Sequence, residues 1–329
     1  FFSPVDVEHC ISSPMCQDGD QSAAATGPPV SSQSLLDVAY SILQTADVYE
    51  KARKTLHVAS LWKDQSLTAV GEPSETITPK HPARPEDVHI VDPMHVPKRG
   101  GAGSLDNKIA LVHSLAHIES WAIDLSWDII LRTPFIYPDW KALPMQFWTD
   151  WVIVAEDEAR HFTLLDQRLK DLGSHYGALS AHEGLWESAS ETAHCLKARL
   201  AIVHMVHEAR GLDVTPKTMQ KMKSLGDKDS AALLNTIYQE EITHVEAGCR
   251  WFTHICEKEG LDQFPYFHEL VRAHFHGNLK PPFNTEAREK AGMVAEYYMP
   301  LAEAPKPPKK KSAPGSTKSH PAPALTDNQ

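Results

Sequence analysis

The sequence predicts an all-α protein built on a four-helix bundle, and three observations carry that expectation. No strand-like alternation is sustained anywhere in the 329 residues. Four long stretches, about 106–132, 145–172, 183–212 and 228–259, place apolar residues three and four apart, as one face of a helix requires. The breaks between them are chemical. Pro134, Pro138 and Pro144 punctuate the first, Gly173 and Gly177 the second, and Gly211, Pro216 and Gly226 the third.

In chain order, residues 1–33 mix Ser, Pro, Gly and Ala without periodicity and are expected to be disordered. Residues 34–64 form an N-terminal helical extension. SLLDVAYSILQ aligns Leu35, Leu36, Ala39, Ile42 and Leu43, and Asp47 with Glu50 reads as a capping box opening DVYEKARKTLHVASLW. Residues 65–105 are an extended linker, with Pro73, Pro79, Pro82, Pro85, Pro93 and Pro97 ahead of Arg99-Gly100-Gly101, and are expected to wrap the bundle. Residues 106–302 hold the bundle, with a short extra helix at TPKTMQKMKSL and two C-terminal helices at about 264–276 and 285–298. Residues 303–329 are a disordered basic tail, whose Lys306, Lys309, Lys310 and Lys311 are read as solvated, with a nuclear-type signal or an RNA contact as the alternatives.

Composition narrows the function. An apolar share of 42% with 23% charged residues is that of a soluble globular chain. A net charge of −11 argues against a general binder of nucleic acid or anionic membrane, which needs concentrated Lys and Arg. No apolar run approaches the roughly 20 residues of a membrane span. Cys10, Cys16, Cys195, Cys249 and Cys256 form no CxxC pair and leave one over, which fits reduced thiols and a cytoplasmic location. The sequence opens on Phe1, so targeting is left open.

The chemistry lies in two Glu-x-x-His pairs, Glu158 with His161 and Glu241 with His244. Residues three apart on a helix share a face, so each pair can present a carboxylate and an imidazole to one metal ion. Trp151, Val154, Ala155, Phe162, Leu165 and Leu169 run through the first pair, leaving Glu156, Asp157 and Arg160 on the flanks. Leu234, Ile237, Tyr238, Val245, Gly248 and Phe252 run through the second, with Glu240 and Glu246 pointing elsewhere. Glu119 and Glu208 occupy inward faces of the other two helices. Four inward carboxylates require neutralisation, and two divalent cations held by oxygen and nitrogen donors provide it. Each metal would take one pair, with Glu119 and Glu208 as terminal or bridging ligands.

Glu191 and His194 share the spacing and are read as structural. Glu191 sits off the inward face, and His194 is about 21 Å from Glu208 along a helix axis at 1.5 Å per residue. Tyr238, one turn before Glu241, is either a core tyrosine or a residue that bonds a ligand or carries a radical. His204 is either a core histidine or a support for Glu208. Cys249 and Cys256 are read as packing.

The segments LAHIESWAIDLSWD, AEDEARHF, HMVHEARGLDVTP, QEEITHVEAGCRWF and LKPPFNTEAREKAGM resemble the ferritin-like family catalogued as domain of unknown function 455, over about residues 34–302. The resemblance implies a ferritin-like bundle and a di-metal centre at Glu119, Glu158, His161, Glu208, Glu241 and His244. More distantly, the EAR of HMVHEARG and the Glu-x-x-His pairs are similar to tRNA isopentenyladenosine hydroxylases, which are O2-dependent di-iron enzymes. The expectation is therefore a protein with two iron ions, or manganese, that activates O2 to oxidise or hydroxylate a small molecule. The alternative is a ferritin-like metal handler, acting as ferroxidase, iron store or peroxide scavenger without an organic substrate. Its partners would be O2 and a small molecule, with no membrane; tRNA and a homodimer are left open.

Overall fold

Helix formation starts from a reciprocal cap. The Ser34 hydroxyl accepts from the Asp37 backbone N–H at 3.3 Å while the Asp37 carboxylate accepts from the Ser34 N–H at 2.9 Å, opening α1 (Leu35–Leu43). At α2 (Val48–Lys63) the cap is one-sided. Asp47 accepts from Glu50 N–H at 2.8 Å, but the Glu50 carboxylate turns forward to Arg53 at 2.6 and 2.7 Å, so the expected box is only half made. The computed structural model describes residues 33–74, 79–92, 95 and 103–302. The N-terminal stretch to residue 32 with Cys10 and Cys16, the basic tail from residue 303, and Pro93, Pro97 and Arg99-Gly100-Gly101 of the linker lie outside the described residues.

Four long helical rods form the bundle. They are α3 (Leu105–Ile136), α4 (Met145–Asp171), a composite third rod, and α8 (Lys228–Lys258). The third rod joins α6 (Leu196–Arg199), a π-helical segment (Leu200–His207) and α7 (Glu208–Ser224). α3 and α4 pack as one antiparallel pair, the third rod and α8 as another, and α4 lies against α8. α1 and α2 cover α3 and α4; α9 (Gln263–His274), α10 (Thr285–Lys290) and α11 (Ala295–Tyr298) close the other end. Among the described residues the structure is all-α: β-type pairing is limited to the isolated bridges Ile90–Ala181 and Leu279–Ala302. No described helix is long and apolar enough to cross a membrane.

The third rod departs from the sequence expectation at both ends. A helix over 183–212 is interrupted after α5 (Gly184–Glu191), because the buried Arg199 guanidinium reaches back across the gap to Ala189 O at 2.5 Å and Thr192 Oγ1 at 3.1 Å. At the other end the rod passes through Gly211 and Pro216 without a break, so TPKTMQKMKSL is its continuation and not a separate helix. Pro216 has no N–H to offer Leu212 O, and the Asn284 side-chain amide donates there instead at 3.1 Å. α3 likewise runs past Pro134 to Ile136, the proline falling in its last turn. The expected helix over 285–298 divides around Gly292, whose φ of +74° turns the chain.

One close approach fixes the inner geometry. A Cβ at Gly248 would lie 2.2 Å from the His204 carbonyl oxygen, so α8 and the π-helical segment meet backbone to backbone just below the level of His244. The described part of the linker is pinned to α3: Arg84 donates to Ser120 O at 3.0 Å and Asp124 Oδ2 at 2.8 Å, and Lys51 of α2 donates to Ala83 O at 3.0 Å.

Candidate metal centre

At mid-height the four rods bring six side chains together. Glu119, Glu158, His161 and Glu241 form one group and Glu158, Glu208, Glu241 and His244 a second; in each group one oxygen or nitrogen per residue lies within 4.8 Å of all the others. Glu158 and Glu241 belong to both groups. All six residues proposed from the sequence are thus in one place, and the sharing is more specific than the sequence could say: the two paired glutamates lie between the groups, while Glu119 and Glu208 are at the ends. Five of the six are buried, and Glu208 is part-exposed.

The imidazoles face inward through Nδ1. His161 Nδ1 is 3.5 Å from Glu119 and Glu158 oxygens and 3.4 Å from Glu241 Oε1. His244 Nδ1 is 3.0 Å from Glu158 Oε1 and 3.5 Å from Glu241 Oε2. Neither Nδ1 has a hydrogen-bond partner, and neither does Glu158 Oε2. Buried polar atoms are nearly always satisfied, so three orphans at one point, all of metal-ligating type, fit a cation between them. Among the described residues none of the four glutamates pairs with Lys or Arg. This cluster could hold metal ions.

Electrostatics agree with the geometry. Burial, with Glu158 beside it, drives the Glu119 carboxyl well above its usual range, and burial with Glu241 and Glu158 does the same to Glu208. Burial disfavours a charged His161, but the surrounding carboxylates, Glu119 first, outweigh it and raise its pKa; Glu241 and Glu158 do so for His244. A site that pulls protons onto its own groups is short of positive charge, and bound cations supply it.

Two residues set aside in the sequence as flanking turn out to support the histidines. Glu240 Oε2 lies 2.7 Å from His161 Nε2, and Asp157 Oδ2 lies 3.3 Å from His244 Nε2. The support is exchanged: the acid preceding Glu158 on α4 serves the α8 histidine, and the acid preceding Glu241 on α8 serves the α4 histidine. The missed signal was the repeat itself, Asp157-Glu158 and Glu240-Glu241 each lying four and three residues before a histidine. A carboxylate beside Nε2 accepts a hydrogen bond from its N–H, keeps the proton there and leaves Nδ1 free to ligate.

The other expectations sort as follows. Tyr238 accepts from Asn284 Nδ2 at 2.7 Å, a contact with the C-terminal segment and not with a ligand. His204 is buried with its ring 4.3 Å from Trp151, and neither His204 Nε2 nor Trp151 Nε1 has a partner. Glu191 and His194 are exposed and outside the cluster, Glu191 Oε1 lying 2.9 Å from His276 Nε2. Cys249 and Cys256 are buried, and burial pushes their thiols up to about 12 and about 11, which suits packing.

Fold and site together define an all-α bundle with a buried carboxylate and histidine cluster at its centre. The chain belongs to the family described as Protein of unknown function (DUF455), whose model matches residues 44–299. An uncharacterized protein of Haemophilus influenzae is 39% identical over 212 residues, covering 64% of this chain and 73% of that protein. No solved structure matches the chain.

Proposed function

We propose that the protein is a ferritin-like di-metal carboxylate oxidoreductase, holding two iron ions, or manganese in their place, and activating O2 to oxidise or hydroxylate a small organic molecule. The observation that carries this reading is the pair of buried Nδ1 atoms without partners, facing four glutamates that no described Lys or Arg neutralises. Glu119 and His161 would hold one ion, Glu208 and His244 the other, with Glu158 and Glu241 between them. Two such ions supply redox electrons and a binding place for O2.

The chain's own residues supply the rest. Glu240 and Asp157 hold the imidazole protons on Nε2 and so set the orientation of both rings. Trp151, Phe162 and Phe252 are buried on the two helices that carry the Glu-x-x-His pairs. Approach is from the side of α7: Glu208 is the part-exposed ligand, and one turn along, a Cβ at Gly211 would meet nothing within 4 Å. The net charge of −11 favours a small molecule over tRNA as the partner.

Anaerobically purified protein, loaded with Fe(II) and mixed with O2 in a sealed oxygen-electrode cell, tests the reading. An oxidoreductase gives stoichiometric O2 uptake that becomes catalytic when a compound from a metabolite mixture is oxidised. Accumulation of bulk ferric mineral in a large assembly would replace this reading with storage, and no O2 uptake by iron-loaded protein would remove it.

A further inference from the structure

One guanidinium touches both of the acids that support the histidines. Arg160 Nη1 donates to Glu240 Oε1 at 2.9 Å and Oε2 at 2.8 Å, one nitrogen spanning both oxygens of the carboxylate. Its Nη2 donates to Asp157 Oδ1. Glu240 is the acid on His161 and Asp157 the acid on His244, so a chain of contacts runs from one buried imidazole through Arg160 to the other. The arginine itself is 39% exposed, while the imidazoles it links are buried.

The arrangement is present once. α4 and α8 approach each other antiparallel with a local two-fold relation, which pairs Glu158 with Glu241, His161 with His244 and Asp157 with Glu240. The same relation pairs Arg160 with Thr243, whose hydroxyl donates to Glu240 O at 2.7 Å, within its own helix. A single arginine therefore serves both halves of a nearly symmetric site.

We propose that Arg160 is a positioning residue that couples the two halves of the centre: by fixing Asp157 and Glu240 together it holds both imidazoles in the ligating orientation, so that two cations bind as a linked pair. This rests on the metal-binding reading above. An arginine is suited to the role because its rigid guanidinium directs two separate terminal nitrogens to two carboxylates, Nη1 to Glu240 and Nη2 to Asp157, whereas the lysine ammonium is a compact point charge. The competing reading is an ordinary surface ion pair, which adds little stability and nothing to metal binding.

The test is a titration of metal-free full-length protein with Co(II), followed by visible absorption and calorimetry, with circular dichroism checking that each variant is folded. Wild type should take up two ions with linked affinities. Arg160→Met should weaken both by about 10- to 100-fold, the range seen when a partner behind a ligating histidine is lost. Glu240→Gln should weaken chiefly the ion at His161 and Asp157→Asn the one at His244, and Arg160→Lys should recover part of the loss. Unchanged affinities and an unchanged Co(II) spectrum in folded Arg160→Met overturn the proposal while leaving the metal reading intact. Wild type that binds no Co(II) overturns both.

Discussion

α3 buries three acids within three turns, and they meet opposite fates. Asp124 is answered by Lys51 and by Arg84, and Asp128 by Arg132 and Arg199. Glu119, one turn nearer the N-terminus, faces His161 and other carboxylates, with no Lys or Arg beside it among the described residues. A buried charge must be compensated, and the fold has done so with its own cations at two positions and left the third short. The difference separates two kinds of buried acid: Asp124 and Asp128 tie the extension, the linker and the third rod to the bundle, while the Glu119 cluster has no Lys or Arg partner among the described residues and could hold metal ions.

The strongest way to break the contrast is to remove a candidate ligand. Metal analysis of anaerobically purified wild type should give about two Fe or Mn per chain, and Glu158→Ala or His244→Ala should lower that sharply. Full loading in both variants would return Glu158 and His244 to the structural class.

Next in size is a pair of substitutions with opposite signs. Asp128→Asn removes the one carboxylate charge that the buried Arg199 and Arg132 guanidiniums share and should cost about 3–5 kcal/mol in urea unfolding. Glu119→Gln in metal-free protein removes a carboxyl whose ionisation burial and then Glu158 oppose, and should raise the urea midpoint, a gain that disappears once metal is added. Equal destabilisation by both would erase the distinction drawn along α3.

Metal addition sharpens the same comparison from the other side. An ion at 100 times its dissociation constant stabilises the folded state by about 2.7 kcal/mol, so chelation should lower the melting temperature of wild type and leave Glu158→Ala unmoved. A chelator effect of equal size in that variant would place the metal elsewhere.

The smallest effect concerns pH. Burial opposes ionisation of Asp128, but Arg199 and Arg132 outweigh it and hold its carboxyl below the ordinary value of 3.8. A lowered folded pKa means stability present above the unfolded value and lost as pH falls through the folded one. The gap between wild type and Asp128→Asn should therefore be constant from about pH 5 to 8 and narrow below about pH 4. A gap that narrows toward alkaline pH would contradict this.

Legibility in the sequence followed the range of the interaction. α4 and α8 came out within a residue or so of their expected ends because amphipathic spacing is local to each helix. The third rod did not, because its breaks depend on partners far along the chain: Arg199 reaching back over Thr192, and Asn284 standing in for the N–H that Pro216 lacks. The spacing Glu-x-x-His is itself weak, since Glu86 with His89 and Glu191 with His194 have it without joining the cluster. The inward apolar stripe selected the two pairs that do.

By itself, the sequence determined the helical class, the inward faces and the six residues that meet at the centre, because helical periodicity is written in each segment alone. Only the tertiary structure decided that Glu158 and Glu241 are shared, that Asp157 and Glu240 support the opposite helix's histidine, and that Arg160 joins them. Those relations cross between helices, and no single helix encodes the register at which its neighbour lies.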